Sequence, residues 1–217
     1  MSKKGIPLLF LVSLLCLLVF SCADRDAAPT KDSVGPVADE SERIEEEIGR
    51  SSELQELIAI RDELAARAIA RNVTPEQIRE AGYDVARSNE LLGFTEAERR
   101  ARFERIDTLI NSLYARYPAL REVEAREAAA IETCDIECAA SNWERYAKVL
   151  AVDLSGDGAS ALRAPAKGPM KCKMTQLFIG FGLCSLRSGG SALFYAVCSY
   201  GVFCASCDGG ISDLLCR

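Results

Sequence analysis

The chain has 217 residues, 49% of them apolar and 27% charged, with a net charge of −6 and no histidine. That length holds one or two domains, and the acid excess speaks against a nucleic-acid partner. The missing histidine removes Ser-His-Asp and Cys-His catalysis, His-ligated zinc and the usual general base near neutral pH. An enzyme would have to use carboxylates, lysine or thiols, and the reading taken is of a non-enzymatic chain that calls for no cofactor and no metal.

Lys3 and Lys4 precede an apolar run from Ile6 to Phe20. A basic start, a run of this length and a small residue before the cut predict an export signal over residues 1–21, not a membrane span. Val19-Phe20-Ser21-Cys22 resembles a bacterial lipobox. The resemblance implies cleavage before Cys22 and acylation of that cysteine, with palmitate among its acyl chains. Each buried methylene then adds ~0.8 kcal/mol, enough in total to hold a protein on a membrane without a spanning helix. Ordinary cleavage after Ser21-Cys22-Ala23, giving a secreted protein, is the alternative. Cys16 leaves with the signal. Residues 22–40 are polar, with Pro, Ser and Gly, and predict a flexible tether.

Residues 41–151 predict a helical body, rich in Ala, Glu, Arg and Leu. Ser52 with Gln55 predicts a capping box, after which Leu54, Leu57, Ile58, Leu64, Ala65 and Ala68 line one face. Thr74-Pro75-Glu76-Gln77 is a start signal and Gly93 a stop. Thr95 with Glu98 starts the next helix, whose stripe is Phe103, Ile106, Ile110, Leu113 and Tyr117, with Pro118 ending it. A fourth long helix is expected from about Ala119 to Leu150, with Ile131, Cys134, Cys138, Tyr146 and Leu150 on one side. Four or five such helices with short connections predict an antiparallel bundle. No sustained heptad favours a coiled coil.

Residues 152–169 predict a linker. Asp153, Ser155, Asp157 and Gly158 match the first half of a calcium loop, but position twelve is Ala164, where a bidentate Glu is needed. Residues 170–217 form an apolar, glycine-rich and cysteine-rich unit. Residues 188–207 carry no charge over a length that could cross a bilayer. Their glycines and cysteines favour a small disulfide-stapled unit instead. Charge divides along the chain: residues 39–150 hold 16 basic against 25 acidic side chains, residues 163–217 six against two. Opposite signs could dock the two parts.

Eight cysteines follow the signal and Cys22: Cys134, Cys138, Cys172, Cys184, Cys198, Cys204, Cys207 and Cys216. In an exported chain this even set predicts a disulfide framework. Cys134 and Cys138, four residues apart on one helix, are poorly placed for each other and are expected to clip the body to the tail. Cys204-Ala205-Ser206-Cys207 is a CxxC without a surrounding βαβ pattern, and a structural role is expected for it.

The six tail cysteines with their apolar spacers resemble the precursors of halocin-type cysteine-rich bacteriocins, over the last quarter of the chain. That resemblance implies a C-terminal part released as a small disulfide-bonded toxin and a preceding segment that neutralises it. The leading expectation is a non-enzymatic, lipid-anchored envelope protein with an interaction-type tail. Its partners would be the membrane, through Cys22, and a protein of unknown identity. A bacteriocin-like precursor with a membrane-active tail is the second reading, and an envelope thiol oxidoreductase using the CxxC the third.

Overall fold

Side-chain caps set the helix boundaries. The computed structural model describes residues 36–128, 135–154, 170–209 and 216. Helix α1 spans Pro36–Gly49 and α2 spans Ser52–Ala70. The cap of α2 is Ser51, one residue earlier than expected: its hydroxyl accepts from the Leu54 N–H, while Gln55 donates to the Gly49 carbonyl. Helices α3 (Pro75–Ala81) and α5 (Glu96–Arg116) start on the capping boxes of Thr74 with Gln77 and Thr95 with Glu98.

The stretch between those boxes is not one helix. Gly82 takes φ +50°, a backbone open to glycine at little steric cost, and α3 stops there. Asp84 then caps α4 (Val85–Leu92) through the Arg87 N–H, and Gly93 closes it in the left-handed conformation. The expected fourth long helix is also divided, into α6 (Ala119–Glu127) and α7 (Ile136–Leu154). Helix α7 carries Asp153 and Leu154 into what was expected to be linker; the rest of the calcium-like segment lies outside the described residues.

The tail is a helical hairpin. Strand β1 (Lys171–Cys172) leads into α8 (Met174–Ser188), Gly189-Gly190 turn the chain, and α9 (Ala192–Ser206) returns to strand β2 (Cys207–Asp208), antiparallel to β1. Within the hairpin the two helices approach closely, because a Cβ on Gly180 would sit 2.1 Å from Val202 Cγ1.

Residues 39–217 form one compact unit. The chain is mainly α, a helical bundle followed by a stapled C-terminal hairpin, and α9 is its core: twelve of its fifteen residues are buried. It packs against α8, α2, α7 and α4, while α8 also leans on α5 and α6. The body turns its apolar stripes toward this hairpin. Leu54, Leu57, Ile60, Leu64, Ala65 and Ala68 of α2 are buried, as are Ile106, Leu109, Leu113 and Tyr114 of α5 and Ala139, Ala140, Trp143 and Tyr146 of α7. Ile58, Phe103, Ile110 and Tyr117, expected on the stripes, lie at the edge of the core.

Outside the core, α2 and α5 are joined by charge. Glu53, Glu56 and Glu63 of α2 pair with Arg116, Arg105 and Arg102 of α5. Body and tail meet differently, through apolar packing and through hydrogen bonds. Ser88 accepts from the Leu193 N–H at the start of α9 (3.0 Å), and Asp62 accepts from the Tyr200 hydroxyl (2.7 Å). Among the described residues the α2–α5 ion pairs lie within the body and do not reach the tail.

Candidate functional site

Three disulfides frame the hairpin: Cys172–Cys207, Cys184–Cys198 and Cys204–Cys216. They occupy different depths. Cys184 and Cys198 are wholly buried between α8 and α9. Cys204 and Cys216 are half-buried. Cys172 and Cys207 face each other directly across the β1–β2 pair, Cys172 half-buried and Cys207 buried.

This pairing corrects the expectation of a bridge between body and tail. All six tail cysteines bond among themselves, so none is left for the body. Cys138 is itself disulfide-bonded, with a partner outside the described residues, where Cys134 and Cys22 also lie. It is exposed on α7, whose buried side is Ala139, Ala140, Trp143 and Tyr146, because the helix is turned by the indole of Trp143. That indole donates to the Val73 carbonyl at 2.8 Å and locks α7 against the loop before α3. The two cysteines of the CxxC take separate partners, Cys216 for Cys204 and Cys172 for Cys207, which ties the end of α9 to β1 on one side and to Cys216, after β2, on the other.

A second constellation lies at the body–tail contact. Arg61 of α2 is buried, and its guanidinium lies over Tyr200 (4.4 Å to the ring centre), Phe203 (5.1 Å) and Phe181 (5.9 Å). A cation over aromatic faces gains most where water is excluded. Its Nε donates to Asp62 Oδ1 at 2.8 Å, the same oxygen that accepts the hydrogen bond of the Tyr200 hydroxyl, while its Nη1 is buried without a partner among the described residues. Burial pushes the Tyr200 phenol well above its ordinary value and that of Tyr146, stacked 5.3 Å away, up to about 12. Both rings therefore stay neutral near pH 7, and Tyr200 remains a donor. Sequence reasoning missed Arg61. The signal was a lone basic residue inside the α2 stripe, between Leu57 and Leu64 at helical spacing.

The third feature is an open cavity of about 520 Å³ between α1 and the start of the hairpin, lined by Glu42, Glu45, Glu46, Gly49, Arg50, Cys172 and Met174. Helix α8 has no side-chain cap of its own. Glu45 supplies one from α1: its carboxylate accepts from the Thr175 N–H (3.2 Å) and hydroxyl (2.6 Å). A carboxylate at a helix N-terminus satisfies free N–H groups and the local positive dipole end. Arg50 pairs with Glu46, which leaves the cavity wall net acidic. Among the described residues no group of three or more His, Cys, Asp or Glu is placed to hold a metal ion, and no helix is long and apolar enough to cross a membrane.

No family model matches the chain, and neither a curated protein nor a solved structure is detectably similar to it.

Proposed function

We propose that the chain is a non-enzymatic protein of a bacterial envelope, lipid-anchored through Cys22, whose stapled tail fixes the shape of a helical body that meets a protein partner. The observation that carries this reading is the Cys184–Cys198 bridge, buried at the centre of the fold. A core closed around a disulfide belongs in an oxidising compartment, which agrees with the export-like start of the sequence. Most apolar side chains of the tail are covered by the chain's own body, with Leu186 and Met170 left exposed, so a largely polar outer surface is what remains for a partner. The separate partners of Cys204 and Cys207 weigh against a CxxC exchange centre.

Intact-mass analysis and detergent partitioning of the native protein and of Cys22→Ser test the anchor. The native protein is expected to start at an acylated Cys22 and to enter the detergent phase, and the variant to do neither. An unacylated native chain, or unchanged partitioning of the variant, overturns the reading.

One observation favours the bacteriocin-like reading as a second. All three tail bridges close within residues 172–216, and the described contacts of the hairpin with the body are non-covalent. A cut between Leu154 and Met170 would then free a covalently closed peptide. If freed residues 170–217 leave dye-loaded vesicles intact, this second reading fails.

A further inference from the structure

We propose that Cys172 is a thiol-exchange site, at which a dithiol reductant opens the Cys172–Cys207 bridge and so unseats helix α1. The proposal stands whether or not Cys22 carries a lipid.

The two ends of this bridge are unequally placed. Cys207 is 3% exposed, whereas Cys172 is half-buried and forms part of the wall of the 520 Å³ cavity. A thiolate can thus reach the Cys172 sulfur from solvent. The Cys184–Cys198 bridge, with both residues wholly buried, offers no such approach. Exchange requires access to the attacked sulfur as well as a reactive thiol.

The chemistry balances with a dithiol. One thiolate of the reductant attacks the Cys172 sulfur, a mixed disulfide forms, and Cys207 leaves as a thiolate that takes up a proton. The second thiol of the reductant then attacks the mixed disulfide and releases Cys172 as a thiol. The reductant is oxidised to its disulfide as the bridge is reduced to two thiols.

The same short segment meets α1, beside the wholly buried Ile48 of that helix. Met174 lies against Gly49, where an added Cβ would meet its Cγ at 3.0 Å, and Thr175 is held by Glu45. Both follow Cys172 within three residues. The bridge fixes β1 to the end of α9, and β1 in turn fixes the platform on which α1 rests. Opening it removes one tie at the start of α8 and leaves the two-residue sheet, the Lys173 N–H bond to the Ser206 carbonyl and the packing of α8 against α9.

The test uses the folded full-length chain, limiting dithiothreitol, alkylation of freed thiols and peptide mapping. Cys172 and Cys207 are expected to be labelled first, at least about tenfold faster than Cys184 and Cys198. Trypsin cleavage after Arg50 is expected to accelerate in step. Three results overturn the proposal: earlier labelling of Cys204 and Cys216, labelling of all six together at the rate of global unfolding, or early labelling of Cys172 with the Arg50 site still protected. The double variant Cys172→Ser with Cys207→Ser should reproduce the trypsin sensitivity; if it does not fold, labelling of the unaltered chain decides alone.

Discussion

Helices α5 and α9 are both regular, yet α5 buries four of its 21 residues and α9 twelve of fifteen. The first is a wall and the second a core. Helix α5 keeps Arg102 and Arg105 in partly exposed pairs with α2, sets Arg116 on the buried Glu53, and shows the hairpin a narrow apolar stripe. Helix α9 is apolar on all sides, the pattern shared by central helices and membrane spans. Length separates those two cases: fifteen residues reach roughly 22 Å, short of a hydrocarbon core of about 30 Å. The comparison teaches that the charged helices of this chain take their places from the uncharged one. Substitutions should therefore cost much in the hairpin and little in the wall.

The largest expected effect is that of Phe178→Ala. Phe178 is wholly buried on α8 and packs on Tyr114 at 5.0 Å between ring centres. Its loss should lower unfolding free energy by about 3–5 kcal/mol, measured by urea titration. Phe103→Ala, at the half-buried edge of α5, should cost clearly less; equal losses would erase the distinction between wall and core.

Next is Arg61. Arg61→Ala removes a side chain that fills the space over three rings and should cost about 2–4 kcal/mol. Arg61→Met keeps that volume and removes the unpartnered buried Nη1, so it should cost under about 1.5 kcal/mol. Similar losses in the two variants would mean that charge, and not packing, joins α2 to the tail.

Gly180→Ala follows. The new methyl would collide with Val202, at an expected cost of about 1–3 kcal/mol. Adding Val202→Ala should recover part of the closeness of α8 and α9, whereas adding a wall substitution should not.

The smallest effect belongs to the wall. Burial alone would raise the Glu53 pKa, but hydrogen bonds from its own backbone N–H and from Ser112 and Arg116 hold it below the usual 4.5. A depressed carboxylate adds stability above the unfolded-state value and loses it as pH falls through the folded one. Glu53→Gln should therefore cost about 1 kcal/mol at pH 7. That difference should shrink steadily as pH falls below 4.5, followed by chemical denaturation across pH 3–7.

Much of the wall was legible in the sequence because its signals are local. Thr74 with Gln77 and Thr95 with Glu98 announce helix starts within four residues, and Gly93 announces a stop. The break at Gly82 was missed because a lone glycine in a helical pattern is usually tolerated. The disulfide pairing was not legible, since spacing along a chain does not give distance across a hairpin. Cys172 and Cys207 are 35 residues apart in sequence and opposite each other in space. The face of Cys138 was misjudged for a related reason: Trp143 sets the rotation of α7 through a carbonyl seventy residues away. Arg61 was hidden because its aromatic partners all lie in the tail.

The position of α9 after the wall helices in sequence bears on how the protein comes into being. A polypeptide emerges from its N-terminus, so every wall helix is made before the helix that it encloses. Until α9 appears, α2, α4 and α7 lack a helix that they pack against in the finished fold. The contact that joins Asp62 to Tyr200 spans 138 residues and must wait for α9. Contacts of such separation are slow to form, and exposed stripes in the interval invite association. Chains stopped before Ala192 would carry a shell without its central helix, open to proteases in a way that chains containing α9 are not.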